Sequence, residues 1–188
     1  NTINFEFVKG RLRARYASSS PQASIRFFEK LSQDSPSNEN KYAYIIALQA
    51  TTEHEKALLH IDNLLKKYPK NLILNITKAE IYLSNQELVK ANQQIKKVLR
   101  ISPGNYPASI IQSSILSAQK KTIQAEEIIR ELLITKNNDP HLWMLLSEIQ
   151  RTGKNILGYH ISRGEYYLLL GDLDSALNQF KFALQLAS

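Results

Sequence analysis

The stretch TIQAEEIIRELLITKNND, residues 122–139, sets the reading of the whole chain. Ala125, Ile129, Leu132 and Leu133 fall at i, i+4, i+7 and i+8, one small and three aliphatic side chains along a single helical stripe. Positions 34 residues earlier hold Ala91, Ile95, Val98 and Leu99, and the same interval again gives Ala57, Ile61, Leu64 and Leu65. A third interval gives Ala23, Phe27, Lys30 and Leu31, where only Lys30 breaks the set. Because this interval is no multiple of the roughly 3.6-residue helical turn, ordinary amphipathicity does not generate it. The chain is a repeat array of helices.

Of 188 residues, 43% are hydrophobic and 9% aromatic, enough for a continuous core between neighbouring units and too many for a disordered chain. No apolar run approaches the ~20 residues that a helical membrane span requires. The chain begins at Asn1 with neither an initiator Met nor a secretory signal, so it is expected to be processed or excised from a longer one. Cys is absent, which removes disulfides and thiolate metal sites. A net charge of +7 favours acidic partners in principle. Its placement argues otherwise: Lys66, Lys67, Lys96, Lys97 and Arg100 sit near the ends of second helices, where cations complement the helix dipole on a solvated face.

Along the chain, residues 1–17 read as a helix whose apolar stripe is Phe5, Val8, Leu12 and Tyr16, with Lys9, Arg11, Arg13 and Arg15 around it. Ser20-Pro21, Asn71, Asp139-Pro140 and Asp172 are helix starts, each a side-chain acceptor before a helical run, and Gly104-Asn105 is a turn leading into the next helix. Thr52-x-x-Glu55 and Ser84-x-x-Glu87 have the spacing of capping boxes. The last copy of the motif, Ala176, Phe180, Ala183 and Leu184, begins 51 residues after Ala125, one and a half periods. A helix over 155–170 therefore serves twice, closing the helix at 140–151 and opening the final one from Leu173. These observations predict an all-α solenoid of helical hairpins, a right-handed superhelix of about eleven helices. It is expected to form a single domain over 1–188, with units near 4–37, 38–71, 72–105, 106–139, 140–156 and 157–188.

Gly164-x-x-Tyr167-x-x-x-Gly171 followed by Ala176, Phe180 and Ala183 resembles a tetratricopeptide repeat (TPR), as do Ala79 and Tyr82 with Ala91, Ile95, Val98 and Pro103, and Trp143 with Leu146 and Ser147. The resemblance implies that small residues mark close helix seams and bulky ones fill the core between units. More narrowly, Phe7 to Leu12, Trp143 to Glu148 and Arg163 to Tyr167 leading to Gly171 to Ala176 resemble the C-terminal TPR domain of bacterial periplasmic zinc metallopeptidases similar to the β-barrel assembly-enhancing protease. That implies a periplasmic location, a peptidase domain upstream of Asn1, and a role in recruiting outer-membrane proteins or their assembly machinery. Zinc is expected only in that upstream domain and no cofactor in this chain. The zinc helix of such enzymes needs two His at i and i+4 beside a Glu, whereas His54-Glu55-Lys56-Ala57-Leu58 places Leu58 where the second ligand would stand.

The expected function is therefore a non-catalytic protein-binding module. By the register of the resembled family, its inward positions are Tyr42, Ile46 and Gln49; Ile76, Glu80 and Leu83; Ile110, Ser114 and Ser117; Met144, Glu148 and Arg151. Repeat proteins that clamp a terminal carboxylate use Lys and Asn at several of these places, and neither is present here. Phe182 and Leu186 lie on a different face of the last helix from Ala176, Phe180 and Ala183 and form a candidate end face for a partner. The alternative is a free-standing scaffold of an envelope or secretion assembly. A third reading, nucleic-acid binding through Lys9 to Arg15, is disfavoured by the scattered charge elsewhere.

Overall fold

The computed structural model describes residues 2–17 and 20–188. Among them the chain forms eleven α-helices and no strand. The helices are α1 (Thr2–Tyr16), α2 (Pro21–Asp34), α3 (Asn38–Gln49), α4 (His54–Lys67), α5 (Leu72–Ser84), α6 (Leu88–Ile101), α7 (Tyr106–Ala118), α8 (Thr122–Thr135), α9 (Pro140–Thr152), α10 (Ile156–Leu169) and α11 (Leu173–Ala187). They assemble into two compact units, residues 1–101 and residues 102–188.

Most helix starts are where the side-chain acceptors place them. Asn71, Asn105, Asn155 and Asp172 each accept from the backbone N–H three residues on, at 3.0–3.2 Å, and Asp139 accepts from His141 N at 2.9 Å. The two capping boxes do not form. Thr51 takes the first turn instead, donating to Leu48 O at 2.8 Å and accepting from Glu53 N at 3.3 Å, and α4 starts at His54 with no side-chain cap. Ser84 is the last residue of α5 rather than a cap for α6.

Three of these hairpins share one turn. Gln86, Lys120 and Lys154 have φ of 59°, 64° and 60°, spaced by the repeat interval, and Gly171 occupies the same left-handed region at 78° before α11. One left-handed residue reverses the chain within a few positions, which is how two antiparallel helices pack with so short a connection.

The small and bulky repeat positions do what their spacing implies. Ala57, Ala91 and Ala125 are fully buried, together with Ile61, Ile95 and Ile129 four residues later. In the second unit these residues join Leu133, Leu142, Leu146 and Ile149 in one core. Removing each such leucine or isoleucine side chain from water contributes about 1.5–3 kcal/mol. Helix α10 packs against both α9 and α11, as a helix that serves twice must. Ser162 on α10 donates to Gln150 Oε1 of α9 at 2.7 Å, and Gly164 on α10 lies against the ring of Phe180 on α11.

The first copy departs from the pattern. In α2 the buried residues are Ser24 and Phe28, while Phe27 is exposed, so the helix is turned by one position from the expected register. The cause lies in α1, which packs on α3 and makes little contact with α2. Without a hairpin partner, α2 packs mainly on α3, with the Arg13 guanidinium of α1 over the Phe28 ring. Helix α1 is turned as well: its expected core stripe faces solvent, with Phe5 68% and Tyr16 83% exposed, and Phe7 and Gly10 are the buried residues.

Candidate functional site

The inward positions divide between the two units and meet different fates. In the first unit they lie under α1. Contacts run in step along three helices: Asn71 donates to Asn4 at 2.8 Å, Asn38 donates to Glu6 at 2.9 Å, and Arg11 reaches Tyr42, Thr77 and Glu80. Helix α1 thus lies parallel to α3 and α5, over the face that α3 and α5 would offer a ligand.

Arg11 is the centre of that contact. Its guanidinium donates to both carboxylate oxygens of Glu80 (3.2 and 2.9 Å), to Tyr42 Oη (2.9 Å) and to Thr77 Oγ1 (2.7 Å). Burial works against its charge, but Tyr42 and Glu80 more than offset this, so the pKa is held above the usual arginine value. Burial pushes the Tyr42 phenol up despite the facing guanidinium. Beside it, the Phe7 ring packs 5.2 Å from that of Tyr42 and 5.9 Å from that of Tyr68. Gly10 makes the approach possible, since a Cβ there would stand 2.6 Å from the carbonyl oxygen of Glu39. Lys9 and Arg13 both reach the Glu39 carboxylate, at 3.0 and 2.5 Å.

Tyr42, Ile46 and Ile76 are accordingly buried, and Glu80 is engaged on both oxygens. Gln49 and Leu83 are half-buried, Gln49 donating to Glu80 at 3.4 Å. Where the sequence suggests an open lining, the first unit carries a filled one. The sequence offers one clue: Glu80 is the lone carboxylate in α5, and a carboxylate at an inward position needs a cation or open water. The basic run at the start also acquires a role, since Lys9, Arg11 and Arg13 are paired within the chain.

In the second unit the inward positions are accessible. Ile110, Ser114 and Ser117 of α7 and Met144 of α9 are half-buried, and Glu148 and Arg151 are exposed and paired with each other at 2.8 Å. Ser114 donates to the carbonyl of Ile110 at 3.0 Å, which turns its polar atom inward and leaves the surface mild. The face offers apolar contact at Ile110 and Met144 with one ion pair at its end.

Phe182 and Leu186 on α11 are 50% and 54% exposed, and the Phe182 ring rests 5.3 Å from His160. Leu184 is exposed too, so the last copy of the motif is buried only at Ala176, Ala183 and part of Phe180. The four histidines sit apart: His54 against Asn85, His60 against Tyr44, His160 against Gln179, and His141 exposed at the start of α9. No group of three or more His, Asp or Glu among the described residues is placed to hold a metal ion, and no helix among them is long and apolar enough to cross a membrane.

Fold and site together define a helical-hairpin repeat protein with the tetratricopeptide fold. A thermophilic TPR protein of Thermus thermophilus is similar over 96% of this chain and 99% of its own, with a TM-score of 0.74 at 18% identity. A tetratricopeptide repeat protein of Parabacteroides merdae gives 0.63 at 17% identity over 97% and 78%. The pilF protein of Pseudomonas aeruginosa gives 0.56 at 14% identity over 94% and 93%. No family model matches the chain, and no curated protein matches it in sequence. At these identities the likeness concerns the fold.

Proposed function

We propose that this chain is a non-catalytic protein-interaction module, and that α7 and α9 of the second unit carry its binding surface. The observation behind this is the contrast between the units: Tyr42, Ile46 and Ile76 are buried in the first, whereas Ile110, Ser114, Ser117 and Met144 are half-buried and Glu148 and Arg151 exposed in the second. A mild apolar face at Ile110 and Met144 suits an extended or helical apolar segment. Nucleic acid is a poor fit, because three of the four cations between Lys9 and Arg15 already hold carboxylates of this chain.

The finer reading rests on the resemblance to periplasmic zinc metallopeptidases. In it the module recruits unfolded or assembling outer-membrane chains for a peptidase domain encoded upstream, with the metal in that domain. Site-specific photocrosslinking from Met144 in cells tests both levels. The expected result is crosslinks to outer-membrane polypeptides, and none from a crosslinker at Lys66 on the solvated face of α4. Equal yields from the two positions would remove the assigned surface. A free-standing scaffold would instead crosslink to envelope assembly components and carry no His-Glu-x-x-His segment upstream.

A further inference from the structure

Helix α1 is docked by its less apolar side. Ile3, Phe7, Gly10, Arg11 and Ala14 enter the first unit, while the bulkier apolar residues Phe5, Val8, Leu12 and Tyr16 form a stripe left in solvent. A helix whose whole purpose was to complete the core would turn its apolar stripe inward. Its middle also carries Gly10, which costs a helix about 1 kcal/mol relative to Ala. Besides the packing of Ile3, Phe7 and Ala14, α1 is held by specific contacts: an aromatic ring against Tyr42 and Tyr68, a guanidinium in a cage of Tyr42, Thr77 and Glu80, and two more cations on Glu39. In the ion pairs the carboxylates, Glu39 and Glu80, belong to the repeat helices and the cations to α1, so these charges are complementary across the contact.

We infer that α1 is a helical ligand held in cis. The face of α3 and α5 is a receptor for a basic helix presenting Phe-x-x-Gly-Arg, and α1 fills it until displaced. This rests on the reading of the chain as an interaction module and adds what the first unit recognises. Tethering explains why the filled state is favoured, since a segment joined by a short connection has an effective concentration in the millimolar range. A pocket of about 230 Å³ stays open beside Arg11, Ile46, Gln49 and Glu80, next to the C-terminal part of α1.

The test uses the full chain with Gly10→Val and a fluorescent peptide of residues 2–16. The added side chain meets the backbone of Glu39 and Ala43, which cannot move aside, so α1 is expelled without any change to the receptor face. The Gly10→Val chain is expected to bind the peptide at least tenfold more tightly than the wild-type chain. An Arg11→Glu peptide is expected not to bind. Hydrogen exchange on the wild-type chain is expected to show α1 amides opening faster than those of α3. The inference is overturned if the peptide binds neither chain, if α1 and α3 amides exchange together, or if Gly10→Val unfolds the first unit, since α1 would then be core. Crosslinking from Met144 in the Gly10→Val chain separates this from the proposed function, because the second-unit surface keeps its yield whether or not α1 binds in cis.

Discussion

Gly164 lies so close to Phe180 that a Cβ at that position would stand 2.4 Å from Cε1 of the ring. The contact is the seam between α10 and α11, and the half-buried Phe180 ring must shift to admit a Cβ there. Gly164→Ala gains helix propensity, worth about 1 kcal/mol, but the overlap forces a shift that costs about 1–3 kcal/mol. The expected outcome is a lower melting temperature, with Gly164→Leu falling further. An unchanged melting temperature for both would show that the seam is looser than described.

Arg11 and Glu80 are 24% and 18% exposed at their side chains, so removing one leaves the other poorly solvated. Arg11→Ala is expected to destabilise the first unit by about 2–4 kcal/mol in urea unfolding, below the full buried-pair cost because some water reaches the site. Arg11→Lys should recover little, since an ammonium cannot span both Glu80 oxygens and the Tyr42 hydroxyl together.

Gln86, Lys120 and Lys154 hold left-handed backbone that side chains other than Gly, Asn and Asp resist. Lys120→Gly relieves about 1 kcal/mol of that strain, partly offset by the greater freedom of Gly in the unfolded chain. The expected result is a rise in melting temperature of a few degrees, and a larger one when Lys120→Gly and Lys154→Gly are combined.

Acid should loosen α1 before the rest of its unit. Burial raises the Glu39 carboxyl, and hydrogen bonds from Arg13 and Lys9 lower it further than burial raises it, so it sits below its usual value of 4.5. A folded pKa below the unfolded one means that the contribution is fully present above that value and is lost as pH falls through the folded pKa. Hydrogen exchange of α1 amides below pH 4.5 is expected to accelerate relative to α3, and Glu39→Gln should flatten that dependence.

Much of this was legible because repeat positions report on neighbours close in sequence. Ala57, Ala91 and Ala125 are the fully buried seam that their spacing implies, and the half-period offset of Ala176 foretold the double duty of α10. Lys30 was the sign that the first copy is degenerate, and in that copy the register fails. The placement of α1 could not be read, because periodicity gives a helix its faces but not which face is buried. That choice is made by Arg11 and Glu80, which are 69 residues apart, and by the missing Cβ of Gly10. The thwarted capping boxes have a local reason: Thr51 and Gln86 supply turns that compete with the spacing of Thr52 and Ser84. The groove positions followed the family register, which says nothing of a helix laid across them.

The most direct measurement is a titration of a fluorescent unfolded outer-membrane polypeptide into the wild-type chain and into Ile110→Glu and Met144→Glu variants. Met144 is half-buried and outside the core, so Met144→Glu should leave the circular dichroism unchanged, while Ile110 packs against the second unit's core and Ile110→Glu is compared at equal helix content. The result predicted is saturable binding by the wild-type chain and at least tenfold weaker binding by each variant. Equal affinity across the three chains, or no binding by any of them, would contradict the assignment of α7 and α9 as the recognition surface.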